Sequence, residues 1–233
     1  MLLAIDTSTR SGGVALWDNG VTVASMSWRS TYHHSEELMP AISSLLSSRR
    51  VSIRDLQGIG VALGPGGFSA LRVGLSTAKG LAMPIGLPMV GVGTLEAEAY
   101  PWRAVGMAVQ PILDLGRGNL ATARFAHEGA GWRKVADESI TTPDDLLASL
   151  QGAGPTILCG EGVPSYQDTL RDGLPAGSML VPFTTSTSRL TALGEMAESK
   201  LSEGEATSMA GLEPLYLRPP NIGPPKTLKR IQL

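Results

Sequence analysis

The first run of residues that could do chemistry is Asp6-Thr7-Ser8-Thr9, a carboxylate followed by three hydroxyls. It lies between two apolar runs and is therefore predicted to form the turn of a hairpin. Such a turn can offer backbone N–H groups and hydroxyls to a phosphate, which makes Asp6, Thr7 and Ser8 candidate nucleotide-binding residues. The same residue types also bond to their own turn backbone, and the sequence alone leaves both interpretations open.

A second candidate is the glycine-rich segment VALGPGGFSALRVGLSTAKGLA at residues 61–82. A P-loop needs a lysine and a hydroxyl directly after its last glycine, whereas Gly67 is followed by Phe68 and Ser69. The GxGxxG spacing of a dinucleotide-binding turn is also missing. The segment is therefore predicted to start a helix that packs closely against a neighbour, not to hold a phosphate.

Other catalytic and metal-binding patterns do not occur in the sequence. There is no Gly-x-Ser-x-Gly elbow, and Cys159 is the only cysteine, which excludes a multi-thiolate site. His33 and His34 are adjacent, so on a helix their side chains diverge by about 100° and are not expected to share a metal. We predict no catalytic residue and no metal site. A peptidase is only a remote alternative, because no nucleophile–base pair is found.

Length and charge limit the class of protein. A chain of 233 residues can form one large domain or two lobes. Its net charge of −2 argues against a broad nucleic-acid-binding surface, which would be basic. No apolar stretch approaches the ~18 residues of a membrane span, and the N-terminal residues do not follow the pattern of a signal peptide. We therefore expect a cytoplasmic protein without membrane contact.

Hydrophobic patterning predicts two α/β lobes, each with a hairpin followed by alternating helices and strands. In the first lobe, 1–103, strands are predicted at 2–6, 13–17, 21–27, 58–63 and 88–92, with helices at 35–49, 68–82 and 94–100. In the second, 104–216, strands are predicted at 104–113, 119–126, 132–137 and 156–159, with helices at 144–150, 165–171 and 188–202. Asn19-Gly20 predicts a tight hairpin turn, and Ser35 is the predicted cap of its helix. Residues 217–233 are predicted to form a mobile, proline-rich, basic tail.

The two long helices of the first lobe carry more apolar and small side chains than one sheet face needs. Ala70, Gly74 and Ala78 recur every four residues and leave the backbone nearly bare, which lets another helix pack closely. Burial in the chain's own core is the commoner fate of any single residue, but the pair of helices predicts a surface for a partner chain. The predicted surface comprises Ser35, Leu38, Met39, Ile42, Leu45, Leu46, Phe68, Ala70, Leu71, Gly74, Leu75 and Ala78.

Several motifs resemble those of the TsaB (YeaZ) family: IDTSTRSGGVAL at 5–16, HSEELMPAI at 34–42 and, most specifically, GVALGPGGFSALRVGLSTAKGLA at 60–82. Asp114-x-x-Arg117-Gly118 and Tyr216-Leu217-Arg218 are also similar to family patterns, whereas Asn119-Leu120 departs from the Glu or Gln and Val usual there. The resemblance implies a two-lobed actin/hexokinase/Hsp70-like (ASKHA) fold. It also implies a non-catalytic partner protein in threonylcarbamoyladenosine modification of tRNA, which binds the catalytic relative TsaD through the two helices.

The resemblance further implies a TsaE-like ATPase in the same pathway and indirect contact with tRNA. No cofactor is expected in the chain itself, although ATP or ADP at the interface with the partner is compatible with the resemblance. The catalytic relatives bind a metal through an Asn-His-x-x-x-His pair. Thr94 and Glu98 stand where the two histidines would be, which implies that the metal site and the transferase chemistry are lost.

Two further expectations concern association and activity. Burial of the small-residue ridge against a second copy predicts a homodimer when the true partner is absent. The alternative function is a nucleotide-binding, kinase-like enzyme of the same fold that uses Asp6, Thr7 and Ser8.

Overall fold

The computed structural model describes residues 1–31, 33–129, 131–181, 186–208 and 210–218, which form two five-stranded sheets. The first sheet has the order β3-β2-β1-β4-β5, and the second has the order β10-β9-β6-β7-β8. The strands of the first are β1 (Leu2–Asp6), β2 (Ser11–Asp18), β3 (Val21–Arg29), β4 (Gly58–Gly64) and β5 (Met89–Gly93). Those of the second are β6 (Ala108–Gly116), β7 (Asn119–Glu128), β8 (Gly131–Thr141), β9 (Thr156–Cys159) and β10 (Met179–Leu180).

Each sheet combines an antiparallel hairpin with parallel strands, as the repeated pattern in the sequence predicts. β1 pairs antiparallel with β2 and parallel with β4, and β6 pairs antiparallel with β7 and parallel with β9. The turn at Asn19-Gly20 is confirmed, because both residues have positive φ, 47° and 81°. The short strand β10 was not predicted from the sequence.

The helices are α1 (His34–Arg49), α2 (Phe68–Ala82), α3 (Thr94–Ala99), α4 (Pro143–Leu150), α5 (Gln167–Gly173) and α6 (Ser186–Ser202). The predicted cap at Ser35 is wrong, because α1 already begins at His34 and its N-cap residue, His33, makes no side-chain cap hydrogen bond. The predicted strand at 104–113 starts only at Ala108, since Tyr100–Val105 form 3-10 turns. None of the described helices combines the length and apolar character needed to cross a bilayer.

α1 and α2 cover one face of the first sheet. Their apolar stripe packs on inward-facing strand residues, which include Leu3, Ile5, Val14, Leu16, Ile59 and Val61. Full burial of each such side chain stabilises the fold by roughly 1.5–3 kcal/mol. The helix pair is therefore held to the sheet by its inner face and exposes its outer face.

The helices do not follow the predicted boundary between residues 103 and 104. α6 lies in the predicted second lobe, yet Leu190, Leu193 and Met196 pack against the first sheet. In the other direction, Leu95 and Ala99 of α3 pack with the core of the second sheet. The lobes consequently share helices and a junction.

The segment that follows α6 runs back along the first lobe. The Thr207 amide donates to the Met89 carbonyl (3.0 Å) and the Leu215 amide to the Leu63 carbonyl (2.7 Å). Leu217, predicted to begin the mobile tail, packs against the core of the second lobe. The rest of that prediction, 219–233 with Lys226, Lys229 and Arg230, lies outside the described residues.

Candidate partner-binding surface and interlobe cluster

The glycine-rich turn before α2 packs against the turn that follows β1. The Gly67 amide donates to the Ser8 carbonyl (2.9 Å). A Cβ at Gly66 would lie only 2.1 Å from the same oxygen, so this position needs a glycine for close backbone approach. The turn is used within the chain, in agreement with the sequence-based exclusion of a P-loop.

Gly74 is explained by the same contact between the two turns. The Thr7 hydroxyl donates to the Ala70 carbonyl at 2.6 Å, and a Cβ at Gly74 would lie 2.4 Å from Thr7 Oγ1. The glycine makes room for Thr7 of this chain. The prediction that Gly74 bares the backbone for a partner is therefore corrected.

The three candidate nucleotide-binding residues, Asp6, Thr7 and Ser8, are buried and form hydrogen bonds within the chain. The amide and hydroxyl of Ser8 donate to Asp6 Oδ1 at 2.8 and 2.6 Å. Asp6 Oδ2 accepts a hydrogen bond from Arg189 Nε. Asp6, Thr7 and Ser8 are each at most 2% exposed. Of the two interpretations left open by the sequence, the observed geometry is that of residues bonded to their own turn and neighbours.

Arg189 of α6 lies at the centre of a group of charged residues at the lobe junction, the interlobe cluster. It consists of the buried residues Asp6, Glu98 and Arg189 and the partly exposed Glu161. Its Nη1 donates to Glu98 Oε1 at 2.7 Å and lies 3.7 Å from Glu161 Oε1. Its Nη2 donates to Thr9 Oγ1 (2.9 Å) and to the Ser11 carbonyl (2.7 Å). Sequence reasoning missed Arg189, because nothing nearby distinguishes it from a surface arginine.

Burial and charge act against each other in the interlobe cluster. Burial raises the pKa of the Glu98 carboxyl, and the neighbouring Arg189 only partly offsets this. Burial disfavours the charge on Arg189, but the carboxylates of Asp6, Glu98 and Glu161 outweigh it and raise the pKa of the guanidinium. Arg189 is therefore a fixed buried cation.

Thr94 and Glu98, at the positions where the sequence resemblance implies two histidines in the catalytic relatives, form a poor set of metal ligands. Glu98 Oε1 accepts from Arg189, whereas Glu98 Oε2 and Thr94 Oγ1 are buried and have no hydrogen-bond partner among the described residues. Within the described ranges, no three His, Cys, Asp or Glu side chains are grouped so that they could hold a metal ion. The remaining nucleophile, Cys159, is buried, and burial raises the pKa of its thiol.

The twelve residues of the predicted partner surface divide into two sets. Ser35 and Met39 are exposed, and Leu46, Phe68 and Ala70 are partly exposed. The other seven are buried in the core of this chain: Leu38, Ile42, Leu45, Leu71, Gly74, Leu75 and Ala78. Because these seven cover the sheet, they shape the helix pair but present no side chain to a partner.

Most of the exposed residues on the outer face of the helix pair are short and uncharged: Ser43, Ser44, Ser47 and Ser48 of α1, and Ser69, Ser76 and Gly80 of α2. The charged residues exposed on these two helices are Glu36, Arg49 and Arg72. A Cβ at Gly80 would meet nothing within 4 Å, and the residue has no positive φ. Nothing in the described part of the chain requires a glycine there. Apolar side chains border this face, with Met39, Met83 and Ile85 exposed by 45%, 65% and 36%.

At the start of α2, the Arg72 side chain lies between two aromatic rings and forms the Arg72 cluster with Phe68 and Tyr216. The guanidinium carbon is 3.8 Å from the centre of the Phe68 ring and 5.8 Å from that of Tyr216. Arg72 Nε donates to the Tyr216 hydroxyl at 2.9 Å. The two rings are themselves 4.8 Å apart.

Comparisons with known proteins agree with this architecture. The family model described as TsaD, tRNA N6-adenosine threonylcarbamoyltransferase, matches residues 29–209. The tRNA threonylcarbamoyladenosine biosynthesis protein TsaB of Escherichia coli K12 is 29% identical over 231 residues, covering 93% of this chain and 94% of that protein. The chain belongs to the TsaD family and, within it, to the TsaB (YeaZ) proteins.

Solved structures extend the likeness of this TsaB-family chain to its fold. YeaZ from Pseudomonas aeruginosa has a TM-score of 0.74 at 22% identity, covering 93% of this chain and 99% of that one. The ROK hexokinase from Thermus thermophilus has a TM-score of 0.51 at 12% identity, with coverage of 86% and 99%. The fold is thus the actin/hexokinase-like two-lobed α/β fold that the sequence resemblance implies.

Proposed function

We propose that the chain is a non-catalytic partner protein in the biosynthesis of threonylcarbamoyladenosine in tRNA and that it binds a TsaD-like catalytic subunit. The pathway is supported by relatives with this printed role that match across 93% of the chain. The binding role is supported by the family model, which is that of the transferase itself.

The interlobe cluster is the observation that carries the non-catalytic role. In a fold whose relatives include a hexokinase, the lobe junction is where a ligand would be bound and carboxylates would act on it. Here Asp6 accepts hydrogen bonds at both carboxylate oxygens, from Ser8 and from Arg189, and Glu98 is buried and paired with Arg189 through Oε1, which supports a structural role for both carboxylates.

The proposed binding surface is the outer face of α1 and α2. Protein interfaces have few charged residues at their centre and bury apolar anchors. The outer face has both properties, with its serines, Gly80 and the flanking side chains Met39, Met83 and Ile85. A glycine inside a helix lowers stability by about 1 kcal/mol relative to alanine. No contact within the described chain explains Gly80, whereas the close approach of a second chain would.

The remaining parts of the assembly follow from the same proposal. A TsaE-like ATPase and tRNA join through the catalytic subunit, and any ATP or ADP lies at the interface and not within this chain. Because the substrate is tRNA, the proposed assembly is cytoplasmic. An isolated chain pairs with a second copy through the same outer face.

Gly80→Arg tests the proposed surface. The new side chain points into open space, so the fold is retained while the partner is excluded by bulk and charge. We expect affinity for a purified TsaD-like partner to fall at least about tenfold, together with the tRNA-modifying activity of the reconstituted mixture. Isothermal calorimetry measures the first and modified-nucleoside analysis the second.

Gly131→Arg is the matched control, because Gly131 is exposed on β8 of the second lobe, has no positive φ and also has open space at its Cβ. This variant should bind and activate like the parent chain. Equal binding by both variants would place the interface elsewhere. Turnover by the chain without any partner would overturn the non-catalytic role.

A further inference from the structure

The Arg72 cluster holds a guanidinium whose hydrogen-bonding capacity is only partly used. Arg72 Nε is bonded to the Tyr216 hydroxyl. Within the described parts of the chain, the terminal nitrogens Nη1 and Nη2 have no hydrogen-bond acceptor and Arg72 pairs with no carboxylate. Since Arg72 is exposed, four N–H donors of a planar fork are left for an external group.

The surroundings fix the orientation of this fork in advance. Phe68 and Arg72 are one helical turn apart on α2, so the guanidinium stacks 3.8 Å over the ring. Tyr216 reaches the same place from the C-terminal segment, whose backbone is tied to β4 through the Leu215 amide. An arginine held between two rings loses less conformational entropy on binding than a free one.

We infer that the Arg72 cluster is an anchor of the proposed interface and receives an Asp or Glu carboxylate of the catalytic partner in a bidentate pair, an inference that rests on the function proposed above. A carboxylate matches the planar fork with two parallel hydrogen bonds. Arg and Tyr are also the side chains that most often dominate the binding energy of protein interfaces.

The composition of the neighbourhood favours a protein carboxylate over an RNA phosphate. Nucleic-acid surfaces need several cations on one face. Here the neighbours are Phe68, Tyr216, the 37% exposed Leu215 and the serines of the outer face. The nearby Lys79 is partly buried, and its ammonium group donates to the Leu212 carbonyl at 2.8 Å. The described groups in contact with Arg72 are the two aromatic side chains, and a single arginine stacked on aromatic rings has the character of a protein–protein contact.

Arg72→Lys tests the anchor, because it keeps the charge and removes the fork and the bond to Tyr216. Affinity for the TsaD-like partner should fall by about 30-fold, and Tyr216→Phe should give a smaller loss in the same direction. Arg171→Lys is the control, since Arg171 is exposed on α5 of the second lobe. It should leave the affinity unchanged.

The Arg72→Lys variant also supplies a chemical readout. Its amine forms an amide with a carboxylate in contact when the complex is treated with a water-soluble carbodiimide, which activates the carboxyl carbon and leaves as a urea. Mass spectrometry should find position 72 joined to an Asp or Glu of the partner. No crosslink from position 72, or an unchanged affinity, overturns the anchor.

Two outcomes separate this inference from the proposed function. Loss of binding in Gly80→Arg with no effect of Arg72→Lys overturns the anchor and leaves the interface in place. A defect of Arg72→Lys that is limited to tRNA binding by the assembled complex overturns the carboxylate in favour of a phosphate. If neither variant weakens the complex, both the anchor and the interface are wrong.

Discussion

At the scale of single residues, two glycines of α2 have opposite explanations. Gly74 faces inward, where a Cβ would lie 2.4 Å from Thr7 Oγ1, whereas a Cβ at Gly80 would meet nothing within 4 Å. The sequence shows two glycines in one predicted helix and cannot distinguish their environments. The structure assigns one to internal packing and leaves the other without an internal reason.

Substitution of each glycine by alanine should therefore change stability in opposite directions. Gly80→Ala should raise the free energy of unfolding by roughly 0.5–1 kcal/mol, because alanine is the better helix former. Gly74→Ala should lower it by about 1–2 kcal/mol, since the methyl group displaces the Thr7 hydroxyl from its bond to Ala70. Urea unfolding measures both values, and a stabilised Gly74→Ala variant would contradict the packing explanation.

At the scale of elements, what could be predicted depended on how local the signal was. α2 was predicted at both ends, because its glycine-rich start and its apolar periodicity lie within 20 or so residues of sequence. The hairpin at Asn19-Gly20 was likewise predicted by two adjacent residues. In contrast, Arg189 reaches Asp6 across 183 positions, and no local pattern records such a contact. The same reason explains why the sequence does not show that α6 packs against the first sheet.

The proposed partner surface lies on the two helices that the sequence indicates, but it comprises mostly residues other than those predicted. A helix that covers a sheet must bury its apolar stripe. The apolar residues predicted from the sequence to bind a partner, such as Leu38 and Leu75, are therefore buried in the core of this chain. Exposed serines and a glycine such as Gly80 do not form a pattern that predicts an interface. They can be placed on one outer face only after the structure shows which face of each helix packs on the sheet.

The interlobe cluster joins β1, α3 and α6, and Glu98 makes its contribution dependent on pH. Burial raises the pKa of Glu98 above its ordinary value of 4.5, so the folded chain binds this proton more tightly than the unfolded chain. The free energy of unfolding should then decrease as the pH rises above about 4.5 toward the folded-state pKa. Glu98→Gln, which can still accept from Arg189, removes this dependence.

As the pH rises above about 4.5, the free energy of unfolding of Glu98→Gln should increase relative to that of the parent chain. The increase should be up to about 1.4 kcal/mol per pH unit until the folded-state pKa of Glu98 is reached. Urea unfolding at a series of pH values measures it. Glu36→Gln is the control, because the Glu36 side chain is 80% exposed. Parallel pH curves for Glu98→Gln and the parent would show that Glu98 does not titrate in this way.

At the scale of the whole molecule, the described features lie in two places, the lobe junction and the outer side of the first lobe. The interlobe cluster and residues 205–208 and 210–217 connect the lobes, while the outer face of α1 and α2 and the Arg72 cluster lie on the first lobe. The solved structures that share this fold include a hexokinase. In this chain Asp6, Glu98 and Arg189 are buried at the junction, and a pocket between α6 and the 3-10 turns after α3 is lined by residues that include Tyr100, Arg103 and Glu195.

The proposed interface on the outer face of α1 and α2 should bind a second copy of this chain when the catalytic partner is absent. We expect the isolated chain to form a dimer, the Gly80→Arg variant to be monomeric and the Gly131→Arg variant to remain dimeric, as measured by analytical ultracentrifugation at several concentrations. On the proposal that the dimer and the heteromeric complex use one surface, added TsaD-like partner should dissociate the dimer. A dimer that persists in Gly80→Arg, or that binds the partner without dissociating, would show that self-association uses another face.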